Sequence, residues 1–147
     1  MNLSIQAARR CVLPVVVAAL VAAGCATMER GTNAHRIVLQ GSQEVPPVTT
    51  AATGGGTITI TPDGSVSGSV TTAGITATAA HIHQGARGAN GPVIVPMTKT
   101  GDNTWSIPAG AKLTEAQHAA HRAGNLYVNV HSAAHPGGEI RAQISGN

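Results

Sequence analysis

Seven histidines follow residue 24, and their placement is the feature of the sequence that suggests chemistry. His81 and His83 flank Ile82, so on a β-strand both imidazoles lie on one face and Ile82 lies on the other. In the segment 126–131 apolar residues alternate with polar ones, and His131 belongs to the polar set. If the apolar residues of both segments face the core, all three histidines point away from it.

This arrangement is suited to binding a metal ion. Neutral imidazole is a good ligand for zinc and for copper, and neighbouring β-strands lie ~4.8 Å apart, which brings rings on adjacent strands together. A further histidine in the next loop can complete a fourth position. One interpretation of the pattern is therefore a copper or zinc site formed by His81, His83, His131 and His135.

The other interpretation is structural, and it leaves the protein with no certain cofactor. Histidines at strand ends often hold a neighbouring loop through backbone hydrogen bonds, here the glycine-rich segments 85–91 or 136–138. Catalysis is not expected, because no Ser or Cys nucleophile is recognisably placed beside these histidines. The H-x-H strand is also similar to copper-zinc superoxide dismutase, but Asp63 and Asp102 lie away from the motif and no disulfide can form.

Other polar residues have two interpretations each. Glu139 and Arg141 share a face of the last predicted strand. They form either an edge ion pair or a bridge to a neighbouring strand, worth little if exposed, or Arg141 is buried against the histidine-bearing loops and the two residues form a second shell that orients them. His118 and His121 are three residues apart on a predicted helix, where we expect a solvated face. Trp105 is expected to anchor the core rather than to stack on a ligand.

The elements that must position these residues are short β-strands. Runs rich in Thr, Val and Ile, separated by Gly, Pro, Asn and Asp, are typical of a sandwich or barrel. The clearest is a hairpin over 56–70 with a Pro-Asp-Gly turn. One helix is predicted, with Thr114 and Gln117 forming a capping box and Gly124 ending it. Further strands are predicted at 36–40, 75–83, 92–97, 104–107, 126–131 and 139–144.

The N-terminal sequence predicts export. Arg9 and Arg10 precede an apolar run of roughly 13 residues, which is too short to span a bilayer as a helix and is typical of a secretory signal. The small residues before Cys25 resemble a bacterial lipobox, whose cysteine is lipidated; ordinary peptidase cleavage, with Cys25 incidental, is the alternative. Export by the general secretory (Sec) pathway and export by the twin-arginine pathway are both compatible with the sequence. We predict a signal peptide at 1–24, lipidation at Cys25, a tether at 25–34 and a β domain at 35–147.

Charge and cysteine content restrict the partners. Without the signal, seven basic residues face six acidic ones, a formal charge of +1. Because there is no basic cluster and almost no aromatic surface, a nucleic-acid partner is not expected. The two cysteines lie in the signal and at the lipobox, so an intramolecular disulfide is not available. The expected partners are a membrane, through the lipid, and an envelope protein or other extracytoplasmic ligand.

Several motifs, in order along the chain, resemble those of one family. They are LQGSQEVPP at 39–47, AHIHQG at 80–85, NGPV at 90–93, GNLYVNVH at 124–131 and PGGEIR at 136–141. Together they resemble the CHRD domain, the module repeated in the extracellular protein chordin and present singly in many exported bacterial proteins. The resemblance covers about 36–144. His135 is not a characteristic histidine of the family pattern.

The resemblance implies an extracytoplasmic all-β domain, an immunoglobulin-like antiparallel sandwich or barrel, to which the sequence adds one short connecting helix. It also implies no established enzymatic activity. We therefore expect a non-enzymatic binding or structural module of the cell envelope, membrane-anchored and facing the periplasm or the cell exterior. A periplasmic copper- or zinc-binding protein is the alternative.

The lipobox generates the first testable prediction. Cys25→Ser removes the thiol that would receive the lipid, so the protein should move from the membrane fraction to the soluble envelope fraction on cell fractionation. Cys11→Ser, within the apolar run, is the matched control and should leave the distribution unchanged. Unaltered membrane fractionation of the Cys25 variant would rule out the acyl anchor.

Overall fold

The computed structural model describes residues 33–146; the predicted signal peptide, Cys25 and most of the tether lie outside these residues. The described chain forms nine β-strands, a short 3-10 turn at Gly41–Gln43 and one α-helix. The strands are β1 (Ala34–Gln40), β2 (Thr53–Ile60), β3 (Val66–Ala73), β4 (Ala77–Gln84), β5 (Val93–Pro96), β6 (Thr98–Lys99), β7 (Thr104–Ser106), β8 (Leu126–Ser132) and β9 (Ile140–Ile144), and the helix is α1 (Glu115–Arg122).

All nine strands belong to one antiparallel sheet. Its order is β5-β4-β8-β9-β1-β2-β3-β7-β6. The two end strands, β5 and β6, are consecutive in the chain and separated by Met97 alone, so the sheet curls until its edges meet. The predicted all-β class with one helix is therefore confirmed, in the form of a nearly closed, barrel-like sheet.

The predicted elements are present, with ends shifted by a few residues. The hairpin predicted over 56–70 is β2 paired with β3, and Gly64 occupies its turn with a φ of +83°. Gly68 also has a positive φ of +126°, and a Cβ there would lie 2.1 Å from the Thr57 carbonyl oxygen. Only glycine fits at this position of the hairpin. The very short β6 and the 3-10 turn were not predicted.

The hydrophobic core fills the inside of the curled sheet. It includes Ile82 of β4 and the alternating apolar residues of β8, as the period-2 pattern predicts. Trp105 also packs there, 5 % exposed, which confirms its predicted role as a core anchor. Every residue of β8 is buried, so the second face of this strand is covered as well.

Helix α1 begins and ends where the sequence predicts. The Thr114 hydroxyl accepts a hydrogen bond from the Gln117 backbone N–H, and the Gln117 side chain accepts one from the Thr114 N–H, which completes the capping box. Gly124 follows with a φ of +72°. Within residues 33–146, no helix has the length and apolar character needed to cross a membrane.

The prediction of a solvated face on α1 is wrong for His121. This side chain is fully buried, and its Nε2 lies 3.0 Å from Nε2 of His35 on β1, whose Nδ1 is 3.0 Å from the Ser145 hydroxyl. Helix α1 carries no apolar residue larger than alanine, so the imidazole fills the space between helix and sheet. His118 stacks on His121 with ring centroids 6.0 Å apart and is half-buried.

The buried His35–His121 pair predicts a stability loss in acid. Burial lowers the pKa of both rings from 6.5, and for His121 the charges of His35, His118 and Arg122 lower it further. The unfolded chain therefore binds more protons than the folded one near pH 6.5, so stability is full above that pH and declines as the pH falls below it. Thermal unfolding across this range should show the decline.

A double variant isolates the contribution of the pair. His35→Leu/His121→Leu should lose less stability between neutral and mildly acidic pH than the wild type, because two titrating groups are gone. Ala119→Gln, at an exposed position of the same helix, should keep the wild-type pH dependence. A double variant with the full wild-type acid sensitivity would contradict this assignment.

Candidate metal centre

The pairing of β4 with β8 brings three predicted ligands together. His83 lies opposite Tyr127, His81 lies opposite Asn129, and His131 is the next residue on the same face of β8. All three imidazoles point away from the apolar core, as the sequence predicts. One ring nitrogen from each lies within 4.8 Å of the others.

The three rings pack against one another, His81 and His83 edge to face and the other two pairs tilted. The His81–His131 and His81–His83 ring centroids are 4.9 and 5.5 Å apart, and Nδ1 of His81 lies 3.1 Å from Nε2 of His131. His83 and His131 are buried, whereas His81 is partly exposed. The cluster is therefore open to solvent on its His81 side and closed by protein behind the other two rings.

Backbone carbonyls define the tautomers of the two buried rings. Nδ1 of His83 lies 2.9 Å from the Gly91 carbonyl oxygen, and Nδ1 of His131 lies 3.0 Å from that of Pro136. A carbonyl oxygen only accepts, so both Nδ1 atoms carry the proton and both Nε2 atoms are acceptors; Nε2 of His131 accepts from Nδ1 of His81. Nε2 of His83 is buried and has no hydrogen-bond partner. The two carbonyls lie in the loops that the structural interpretation predicts.

The rings are held neutral. Burial is the largest cause that lowers the pKa of His81, His83 and His131 from 6.5. Mutual repulsion within the cluster lowers the pKa of His81 and His83 further, and the hydrogen bonds to the loop carbonyls only partly oppose this. Neutral imidazole is the form that binds metal ions.

The fourth predicted ligand, His135, lies outside this group of nitrogen atoms. Its half-buried side chain lines a cleft of about 290 Å³ beside Glu44, Asn90 and Pro136, and its charge acts on Glu139. Its backbone N–H donates to the Ser132 hydroxyl at 3.2 Å.

Arg141 is buried beneath the loop between β4 and β5, which begins just after His83. That it orients the histidines stays a prediction. It is 1 % exposed, and its guanidinium donates to the Ala86 carbonyl at 3.1 Å and to the Asn90 side chain at 3.3 Å. The guanidinium carbon also lies 3.4 Å from the centroid of the Tyr127 ring, which stacks on His83 at 4.9 Å and 11°. A column of three planar groups thus leads from Arg141 to His83.

The alternative of an edge ion pair between Glu139 and Arg141 is wrong. Strand β9 lies between β8 and β1, so it is an interior strand. Glu139 instead accepts hydrogen bonds from the hydroxyls of Thr50, at 2.7 Å, and of Ser132 on β8, which is a bridge to a neighbouring strand, the other arrangement that the sequence allows. Burial, the largest single cause, raises its pKa, but these two hydrogen bonds and the charge of His135 together lower it more, so the net shift is downward.

The model of the CHRD domain matches residues 36–144, which is most of the chain. The chain belongs to the CHRD domain family. Membership indicates a non-enzymatic binding or structural module. Comparison with curated proteins and with solved structures found no match.

Three residues of the CHRD site were not predicted. The Tyr127 hydroxyl accepts from the Gly91 N–H at 3.0 Å, and Asn129 donates to Glu44 at 3.5 Å. Burial raises the pKa of Glu44 to about 7, against the opposing effects of Arg141 and Asn129. The alternation along β8 could have revealed two of them. Tyr127 and Asn129 alternate with the apolar residues of this strand and therefore share the face of His131.

The Tyr127 contact generates a stability prediction for the CHRD domain. Tyr127→Phe keeps the ring between Arg141 and His83 but removes the acceptor for the N–H of the half-buried Gly91, so the free energy of unfolding should fall by about 0.5–1.5 kcal/mol. Denaturant titration measures this loss. Thr104→Ala, on the distant strand β7, serves as a control for a hydroxyl lost away from the site. A Tyr127→Phe variant as stable as wild type would show that the hydrogen bond contributes nothing.

Proposed function

We propose that this CHRD protein is an exported, non-enzymatic module of the cell envelope that binds one copper or zinc ion through His81, His83 and His131. The lipid on Cys25 anchors it to a membrane, facing the periplasm or the cell exterior. The tether after Cys25 separates the β domain from the bilayer. The ion is bound as cargo or as a structural element, and no bond is made or broken at the site.

The observation that supports metal binding best is the direction of the two buried rings. In metal sites, a ligating histidine usually donates its second ring N–H to a carbonyl or carboxylate, which fixes the tautomer and aims the free nitrogen. His83 and His131 have this arrangement through Gly91 and Pro136. The structural and metal interpretations thus use different nitrogens of the same rings.

The unpartnered Nε2 of His83 also favours metal binding over a purely structural role. A buried polar atom without a partner costs about 1–3 kcal/mol. The unpartnered Nε2 of His83 therefore disfavours a cluster that serves packing alone. An ion would satisfy this atom together with Nε2 of His131, and it would replace the hydrogen bond between His81 and His131.

Metal binding connects the site to a partner surface. His83 and His131 each hold one of the loops beside the cleft at Glu44 and His135. An ion that joins the two rings would hold these loops in one arrangement. We propose that this loop surface contacts another envelope component, and that the bound ion stabilises the contacting conformation.

Metal titration of the purified protein tests the proposal. After chelator treatment, the wild type should bind one equivalent of Zn(II), or of Cu(I) under anaerobic reducing conditions, with affinity tighter than micromolar. His81→Ala/His83→Ala/His131→Ala should weaken binding by roughly 100-fold or more, since even the loss of an outer-shell partner costs about 10–100-fold. Competition with a chromophoric chelator gives the affinities.

Two further variants complete the design. His118→Ala, an accessible histidine on α1, should bind like the wild type. His135→Ala tests the fourth ligand. The metal affinity should fall if His135 is that ligand and should be unchanged if a water molecule is. Binding in the wild type no tighter than micromolar, or binding that survives the triple change, would refute the metal site.

A further inference from the structure

The charge that lies closest to the histidine cluster is a buried cation. Arg141 stacks on Tyr127 with its guanidinium carbon 3.4 Å from the ring centroid, and Tyr127 stacks on His83. Its positive charge acts directly on the His83 ring. A permanent positive charge beside a cation-binding site repels the bound ion and so weakens its binding.

No carboxylate neutralises the three rings in the described part of the chain. The groups that act on them are the other histidines of the cluster, the loop carbonyls and Arg141. Glu44 is the acid that interacts with Arg141, and burial raises its pKa to about 7, so at neutral pH it carries only part of a charge. The cluster thus combines three neutral ligands with a net positive surrounding.

We propose that Arg141 makes this site selective for monovalent Cu(I) over divalent Zn(II). The inference rests on the proposed metal-binding function and specifies its ion. Repulsion by a fixed cation is proportional to the charge of the bound ion, so it disfavours Zn(II) twice as strongly as Cu(I). Neutral imidazoles accept either ion, and the selection therefore comes from the electrostatic surroundings rather than from the ligands.

The size of the effect follows from the stacking distances. The guanidinium carbon is 3.4 Å from the Tyr127 centroid, which is 4.9 Å from the His83 centroid. An ion on a nitrogen of His83 would lie roughly 8–10 Å from the guanidinium, where one extra unit charge, at an effective dielectric of about 20, changes the affinity by roughly 15- to 35-fold. Partial ionisation of Glu44 reduces this. We expect Arg141 to change the Cu(I)-to-Zn(II) affinity ratio by roughly 10- to 30-fold.

The loop-anchoring role of Arg141 does not require its charge. The guanidinium donates to the Ala86 carbonyl and to the amide oxygens of Asn90 and Gln143, all of them neutral acceptors. A neutral donor such as a glutamine amide can satisfy acceptors of this kind. What the guanidinium adds is a positive charge, stacked on the ring that contacts His83.

The test compares Arg141→Gln, which removes the charge, with Arg141→Lys, which keeps it. Affinities for Cu(I) and Zn(II) are measured separately by chelator competition, after circular dichroism has confirmed folding. Arg141→Gln should raise the Zn(II) affinity relative to that of Cu(I) by roughly 10- to 30-fold, whereas Arg141→Lys should keep the ratio within about 3-fold of wild type. An unchanged ratio in Arg141→Gln, or equal changes in both variants, would overturn the proposal.

Glu44→Gln provides a second route if the Arg141 variants do not fold. It removes the partial countercharge, so the ratio should shift toward Cu(I), and the shift should grow from neutral to mildly alkaline pH as wild-type Glu44 ionises. A ratio independent of this substitution would contradict the electrostatic selection. Failure of the wild type to bind either ion would instead refute the proposed function, which keeps the two failures distinguishable.

Discussion

The structure depends on one constraint: strand β8 is buried on both faces, but only one of its faces is apolar. The apolar face packs inside the curled sheet, where its side chains bring in no group that needs a hydrogen bond. The other face presents Tyr127, Asn129 and His131, whose polar atoms must find partners without water. Loops from distant parts of the chain supply partners for most of these atoms, Oδ1 of Asn129 being an exception, so the loops and the polar face fix each other's positions.

The site arises from the way this polar layer is satisfied. Loop carbonyls accept hydrogen bonds from Nδ1 of His83 and His131. The Tyr127 hydroxyl accepts one from the Gly91 N–H, and Arg141 donates to the Ala86 carbonyl of the same loop as Gly91. Each contact orders a loop and also orients a ring. One ring nitrogen of each histidine lies within 4.8 Å of the others, and His81 is the partly exposed member of the cluster, so an ion would approach from that side.

The period-2 alternation of the sequence was sufficient to predict the strands other than β6, the core face and the grouping of His81, His83 and His131. It could not show what covers the polar face, because the covering loops come from positions far apart in sequence. For the same reason Glu44 was missed. The burial of His121 was missed because a short helix of alanines and polar residues looks solvated, although its packing needs a large side chain there. The sequence left Arg141 with two interpretations, an exposed ion pair or bridge and a buried side chain under a loop. The interior position of β9 excludes the exposed edge pair.

The most direct measurement is a long-range proton–nitrogen correlation spectrum of the histidine rings, recorded before and after one equivalent of a diamagnetic ion, Cu(I) or Zn(II), is added. Without metal, His83 and His131 should show protonated Nδ1 and unprotonated Nε2, as their carbonyl contacts require. On addition of the ion, their Nε2 resonances should shift while Nδ1 stays protonated. Protonated Nε2 atoms in the metal-free protein, or Nε2 resonances that ignore the ion, would contradict a metal site built on these two rings.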